Sequence, residues 1–331
     1  MTPPLTELPM TQAMEAIVSG GASDADIEAF LLALKEKGET AEELVSAARV
    51  MRKHALRLSK NYPELVDTCG TGGDHSNTLN ISTAAALVAC SAGARIGKHG
   101  NRSVSSVCGS ADLLEGFGVR IDPPVFTIEK CIETTGFGFF FAPIFHPATR
   151  FAMPARKRIK GKTIFNLLGP LCNPAGAERQ LLGVYDKNLV DVMAKALKEL
   201  GSKRALVVHG CDGLDEISIS DETTVAELKQ GNVKTYKIAP EDFGIPRAAL
   251  SALQCSSKDD CKAVAEKTLK GEPGPASDIV CLNAGAALYV AGKAASIKEG
   301  LSLSRKTIES GTAYKKLEEI KNFLNAKRAV G

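Results

Sequence analysis

Between Asp67 and Ser106 the chain sets three clusters of small, hydroxylated and cationic residues in a fixed order. They read Asp67-Thr-Cys-Gly-Thr-Gly-Gly-Asp74, then Asn80-Ile-Ser-Thr83, then Lys98-His-Gly-Asn-Arg-Ser-Val-Ser-Ser106. An apolar segment of helical length and a short strand-like one separate them. Glycines let a backbone approach a ligand closely, and free N–H groups and hydroxyls then donate to phosphate oxygens. This is a cradle for a multiply phosphorylated ligand. It is not a Walker loop, because no Gly-Lys-Ser/Thr follows the glycines. It is not the dinucleotide fingerprint either: Gly70 and Gly72 fit, but His75 stands in the third glycine's place. The glycine cluster alone would also suit a tight strand-to-helix turn; three clusters in register favour the cradle.

The flanking sequence predicts an α/β fold. Residues 10 to 60 read as three amphipathic helices. Thr11 is the expected cap of the first, with Met14, Ile17 and Val18 on one face. Ser23 caps the second, which carries Ile27, Leu31 and Leu34 and ends at Gly38. Thr40 and Glu43 form a capping box for the third, with Leu44, Ala47 and Met51. Such faces are too small to make a core alone and are expected to pack on a second domain or another subunit. From Leu65 the pattern alternates. Strands are predicted over 65–68, 94–96 and 204–209, and helices over 81–92 (stopped by Gly93) and 189–200. A hairpin over 223–228 and 233–238 turns at Gln230-Gly231-Asn232. Residues 270–276 read as a surface loop, and helices run from 277–291 to the C-terminus, with two more after that. The predicted architecture is an α/β domain with a central mixed sheet flanked by helices, plus a small all-helical N-terminal domain. The expected domains are 1–64 and 65–331, with a helical excursion near 150–180 packing on the small domain.

Composition narrows the function. A formal charge of +3 over 331 residues is too small to argue for nucleic-acid or membrane binding. No apolar run approaches the eighteen or so residues needed to span a bilayer. The N-terminus lacks the basic start and apolar stretch of a signal peptide, so a cytoplasmic protein is expected. Nine cysteines without a Cys-x-x-Cys pair suggest buried free thiols in a reducing compartment. Cys69 stands apart because it abuts the glycine loop.

The three clusters, together with Phe165-Asn-Leu-Leu-Gly-Pro-Leu-Cys-Asn-Pro174 and Asp212-Gly-Leu-Asp-Glu-Ile217, resemble the anthranilate phosphoribosyltransferases. The likeness runs from the N-terminal helices to about Gly292. It implies transfer of the phosphoribosyl group of 5-phospho-α-D-ribose 1-diphosphate to the amine of anthranilate, in tryptophan biosynthesis. The products are N-(5-phosphoribosyl)anthranilate and diphosphate. It also implies two Mg²⁺ ions and a homodimer. By this resemblance phosphoribosyl diphosphate meets Gly70, Gly72, Gly73 and Asp74 of the glycine loop, then Thr78, Asn80, Ile81, Ser82 and Thr83. It also meets Lys98, His99, Gly100, Asn101, Arg102, Ser103, Val104, Ser105 and Ser106, and Ser110 beyond them. Anthranilate meets Gly70, Asn101 and Arg156, and Mg²⁺ is held by Ser82, Asp215 and Glu216.

Each assignment has a physical reading beside it. Ser82 and Thr83 open a helix, where hydroxyls and the helix N-terminus favour an anion, or cap the helix. His99, alone, reads equally as a core histidine. Asp215-Glu216 alone reads as a solvated turn, but a diphosphate site needs cations, and Mg²⁺ is usually held by one or two carboxylates with phosphate oxygens and water. The run Arg156-Lys-Arg-Ile-Lys-Gly-Lys162 reads as a solvated face or hinge, or a nucleic-acid patch. The resemblance selects Arg156 alone, for the substrate carboxylate, and a planar guanidinium suits that partner. Lys157 and Arg158 read as solvated charges. His146 and Met153 are near enough in sequence to line the aromatic pocket, with packing the default. No general base is assigned, because anthranilate's amine is already neutral at pH 7; positioning and charge neutralisation carry the reaction. One segment departs from the family: Leu253-Gln-Cys-Ser-Ser-Lys-Asp-Asp260 replaces a glycine-rich pattern, so no site residue is taken from it. Two other readings compete. One is a pyrimidine nucleoside phosphorylase of the same fold, opposed by Gly100-Asn101, Asp215-Glu216 and Arg156. The other is a non-enzymatic nucleic-acid-binding relative, supported only by the basic run.

Overall fold

The computed structural model describes residues 4–62, 64–103, 106–159 and 161–326. Three helices open it: α1 (Met10–Val18), α2 (Asp24–Lys37) and α3 (Ala41–Lys53). Ser23 accepts from the Asp26 N–H, and the Thr40–Glu43 box closes in both directions. Thr11 does not cap α1. The helix starts two residues earlier, after Pro9, whose carbonyl accepts the first turn's bonds from Gln12 and Ala13; proline's fixed φ suits that boundary.

The sheet strands are β1 (Val66–Gly70), β2 (Ile96–Gly100), β3 (Phe137–Phe141), β4 (Arg179–Gly183), β5 (Arg204–Gly210), β6 (Thr223–Lys229) and β7 (Asn232–Ile238). Between them run α4 (Ile81–Ser91), α5 (Ser110–Gly116), α6 (Val125–Thr135), α7 (Ala142–Phe145), α8 (Met153–Ile159), α9 (Ile164–Leu171) and α10 (Leu189–Glu199). After the hairpin come α11 (Lys258–Leu269), α12 (Pro275–Ala291), α13 (Ile297–Glu309) and α14 (Thr312–Asn325). The strand predicted over 94–96 lies further on, at Ile96–Gly100, so Lys98 and His99 are inside the sheet. β3 and β4 had no clear signal. Phe137-Gly-Phe-Phe-Phe141 is buried along its whole length and shows no alternation.

The strand order is β3-β2-β1-β4-β5-β6-β7. The pairs from β3 to β5 are parallel, and β6 and β7 are antiparallel. The chain steps from β1 outward to β2 and β3, then returns to place β4 on the other side of β1. The crevice beyond the carboxyl ends of β1 and β4 is therefore the topological switch point, where open α/β sheets bind ligands.

Two cores cover the two sheet faces. One unites α4, α5 and α11–α14. The other unites α1–α3 and α9 with α10 and the inner residues of β4 and β5. Ile17, Leu31 and Leu34 belong to this second core and are almost wholly buried within the chain. Of the two expected coverings, the second domain supplies the one that these side chains needed. α8 packs on α2 and α9 on α3. Among the described residues, no helix is long and apolar enough to cross a membrane.

Candidate active site

The glycine loop leaves β1 at the switch point. Gly72 and Gly73 take φ values of 62° and 80°, and His75 and Asn77 also lie in the left-handed region, at 57° and 55°. Left-handed residues at such a turn free backbone N–H groups to face a ligand, as turn conformations do where they bind anions. Asp74 fixes the loop by accepting from the backbone and hydroxyl of Ser76. Thr78 bridges to Gln254, Leu79 donates to the Leu253 carbonyl, and Cys255 donates to the Asn77 carbonyl. The divergent 253–260 segment thus underlies the loop, a placement that its departure from the family pattern concealed.

Asp215 and Glu216 enter the same crevice from the turn after β5. A Cβ on Gly183 would lie 1.5 Å from the Asp215 carbonyl oxygen, and one on Gly70 would lie 2.6 Å from its Oδ2. The strand ends are glycine because the acidic turn occupies the space of a side chain. The Gly72 N–H donates to Asp215 Oδ2 at 2.9 Å, so of the two expected loop donors it is already engaged. Glu216 accepts from the Ser82 N–H at the start of α4. Burial, then the neighbouring Asp74, push the Asp215 carboxyl up to about 7; burial and Asp215 push Glu216 well up too. These are half-buried acids crowded together, and a solvated turn does not describe them. Among the described residues no preformed cage of three His, Cys, Asp or Glu ligands exists. Oxygen ligands short of charge compensation, with room for ligand oxygens, fit a hard divalent cation shared with phosphates.

Beneath the acids lies a buried cation. Lys98 on β2 is 1% exposed. Its ammonium donates to the Thr68 carbonyl and to Ser82 Oγ at 3.0 Å. Burial lowers its pKa, and Asp67, Glu216 and Asp215 oppose that fall. Asp67 on β1, fully buried, accepts from the His99 N–H (3.1 Å) and from Asn173 Nδ2 (2.8 Å), which also donates to the Gly97 carbonyl. Burial pushes Asp67 up to about 6. Asp67 thereby ties β2 to the Cys172–Gly176 turn. A charged residue inside a strand was its only sequence signal.

The His99 and His146 rings meet at 54°, with centroids 4.9 Å apart. His99 Nδ1 donates to the Gly169 carbonyl and His146 Nε2 to the Cys172 carbonyl, each at 2.9 Å. A carbonyl only accepts, so these nitrogens carry the protons. The acceptor nitrogens, His99 Nε2 and His146 Nδ1, are buried without partners among the described residues. Burial holds the two rings neutral, lowering them to about 3 and about 4.

The remaining expected residues divide. Asn80 caps α4 by accepting from the Thr83 N–H at 3.1 Å. Ile81 and Thr83 are buried, at 2% and 0% exposure, so α4 turns them toward the core, and only Ser82 of that trio faces the acids. Gly100 is packed against Ser110 and Phe139, and Asn101 is exposed at the strand's end. Ser103 and Ser106 are joined through their hydroxyls, and Asp112 anchors the Ser103 and Gly109 N–H groups. Arg102 is engaged by Glu115 and lies over Phe141. Val104 and Ser105 lie outside the described residues.

The basic run is three separate contacts. Arg156, half-buried, lies over the Phe165 ring at 5.2 Å. Arg158 is exposed, as a solvated charge should be, but it also pairs with Glu28 (2.5 Å) and Asp24 (3.4 Å) at the start of α2. Lys162 stacks on Tyr185 beside the glycine loop. Cys69 is buried, and burial pushes its thiol well up against the hydrogen bond donated by Gln180 Nε2, which leaves it unreactive.

Known proteins carry the same architecture. Residues 2–55 match the helical bundle domain, and residues 62–314 the a/b domain, of the glycosyl transferase family. The anthranilate phosphoribosyltransferase of Alkalilimnicola ehrlichii is 51% identical, over 95% of this chain and 93% of that protein. That of Symbiobacterium thermophilum is 47% identical, over 98% and 95%. The structure of the Thermus thermophilus enzyme superposes with a TM-score of 0.90 at 44% identity, covering 97% of this chain and 98% of that one. The Saccharomyces cerevisiae enzyme in complex with PRPP and Mg gives 0.87 at 29% identity, over 97% and 93%. Its complex with 4-fluoroanthranilate gives 0.85 at 28% identity, over 97% and 92%. With its two domains, its switch-point crevice and its motifs matched along nearly the whole length, the chain belongs to the anthranilate phosphoribosyltransferase family of glycosyl transferases.

Proposed function

We propose that this chain carries out its family's reaction in the switch-point crevice: the phosphoribosyl group of phosphoribosyl diphosphate passes to the amine of anthranilate, a step of tryptophan biosynthesis. The observation that carries the assignment is the acidic turn wedged against Gly70 and Gly183 above the glycine loop. The diphosphate lies on the Gly70–Asp74 loop, with the Gly73 N–H available to it. Ser105 and Ser106 receive the 5-phosphate, with Ser110 beside them. Asn101 and Arg156 take the amine and the carboxylate of anthranilate.

Ser82, Asp215 and Glu216 would hold Mg²⁺, two ions in our reading, which would supply charge neutralisation at the diphosphate. Ser82 Oγ accepts from Lys98 and keeps a second lone pair for this role. The neutral amine attacks C1 of the ribose, the bond from C1 to the diphosphate oxygen breaks, and the amine then releases its extra proton to water. No general base is required. His99 Nε2 and His146 Nδ1 are acceptors in need of a donor, and amine N–H groups are such donors. Leaving each unpaired costs about 1–3 kcal/mol.

The direct test follows anthranilate fluorescence. Its loss is expected with phosphoribosyl diphosphate and Mg²⁺ together and not in excess chelator. An undiminished rate in chelator, or phosphorolysis of a pyrimidine nucleoside in its place, overturns the reading. The protein is also expected to be a homodimer. Family likeness supports this; the apolar faces of α1 and α2 do not, since Ile17, Leu31 and Leu34 are covered within the chain. Sedimentation as a dimer at micromolar concentration is the expected result, and a monomer across that range refutes it.

A further inference from the structure

Lys162 lies between α8 and α9, yet it reaches the glycine loop. Its ammonium is 3.7 Å from the centroid of the Tyr185 ring. Its Cε lies 2.9 Å from where a Cβ on Gly73 would stand. Gly73 therefore has two reasons to be glycine: its φ of 80° and the lysine stem lying over it. Tyr185 is fixed to the same loop, because its N–H donates to Thr71 Oγ1 at 3.1 Å. The carboxylates facing the ammonium are Asp186, Asp74 and Asp215. They act on it from a distance, and the contact that holds it is the Tyr185 ring. A half-buried cation is thus held on an aromatic face at the rim of the loop, near three acids.

We propose that Lys162 is a diphosphate-binding residue that closes over the glycine loop from the α8–α9 side and contacts the leaving group. This rests on the reading that the loop holds the diphosphate. The ligand chemistry is that of a diphosphate oxygen: a flexible ammonium follows a departing anion as a point charge, without the planar demands of a guanidinium. The contact also links the segment that carries Arg156 to the loop, so each substrate is gripped from the same connection.

The test is calorimetric titration of the whole protein with inorganic diphosphate in Mg²⁺, beside steady-state kinetics. Lys162→Met keeps the apolar stem on Tyr185 and removes only the charge. It is expected to weaken diphosphate binding by about tenfold, the scale of one charge-assisted contact. The KM for phosphoribosyl diphosphate should rise similarly, with that for anthranilate moving less than about threefold. Lys162→Arg should restore most of the loss. Lys162→Gln is the second variant should the methionine form fail to fold. Wild-type protein that binds no diphosphate defeats the reading of the loop itself. Wild-type binding with an unchanged Lys162→Met or Lys162→Gln overturns the assignment of Lys162 alone, as does a rise confined to the KM for anthranilate.

Discussion

Replacing Asp215 and Glu216 together by alanine is expected to lower turnover at least about 100-fold, the scale of losing ~2.7 kcal/mol of charge stabilisation in the transition state. The fold should survive. The carboxyls do no structural work that the glycines need, and the bonds lost are those from the Gly72 N–H to Asp215 and from the Ser82 N–H to Glu216. In chelator the double variant should melt no lower than the parent above pH 7, and the sign follows from the carboxyl. Asp215 is raised from its ordinary 3.8 to about 7. Between those values the folded chain keeps a proton that the unfolded chain has lost. The stability of the parent therefore falls as pH rises through that window, and a chain without the carboxyl escapes the fall. Added Mg²⁺ should stabilise the parent and leave the variant unmoved, because a ligand stabilises only a state that binds it. Circular dichroism, melting curves with and without Mg²⁺, and fluorescence-followed turnover measure all three effects. Near-normal turnover in the double variant refutes the metal assignment.

That acidic turn also shows what a sequence can carry. The glycine loop, the helix start at Asn80 and the Asp-Glu pair were all legible, because each is a local pattern with a chemical reason. Their convergence was not. Nothing in Arg179–Gly183 marks it as the neighbour of β1, so the crowding of Asp215 against Gly70 and Gly183 came only with the sheet order. Burial was misjudged in both directions. Lys98 and His99 are polar, and they shortened the predicted strand; inside the sheet Lys98 donates to Thr68 and Ser82, and His99 donates to Gly169 while its Nε2 stays unpaired among the described residues. Ile17, Leu31 and Leu34 are apolar, and they suggested an uncovered face; the covering from the second domain lies more than a hundred residues on, in the 147–159 stretch that packs on α1 and α2. Arg158 and Lys162 were read by composition alone, and a run of cations carries no sign of which members find partners. Asp67 is the most instructive omission. It begins the first cluster, but its role, receiving the His99 N–H and the Asn173 amide, depends on a residue 106 positions away.

Arg156→Ala should raise the KM for anthranilate by about ten- to a hundredfold, since a charge-assisted two-pronged contact is worth ~1.5–3 kcal/mol and 1.4 kcal/mol is a factor of ten. The KM for phosphoribosyl diphosphate should move by less than about threefold on the same scale. The structure makes this separation testable. Arg156 makes no ion pair among the described residues; its guanidinium rests on Phe165, with a long contact from Nη1 to Met153 Sδ at 3.8 Å. Its removal therefore takes away a ligand contact and little structure. Arg158 is the control of opposite character. Its pairing with Asp24 and Glu28 fastens α8 to α2. The pairing lies at the surface, with Arg158 and Asp24 exposed and Glu28 half-buried, so Arg158→Ala should cost no more than about 1 kcal/mol of stability and leave both KM values alone. Lys157→Ala should be silent in every measurement. Three results would redirect the assignment. Equal weakening of both substrates in Arg156→Ala would place the residue in domain packing. A larger anthranilate effect from Lys157→Ala would mean that the register of the run is shifted by one. An anthranilate effect from Arg158→Ala matching that of Arg156→Ala would show that the position of α8, and not the guanidinium upon it, governs the carboxylate.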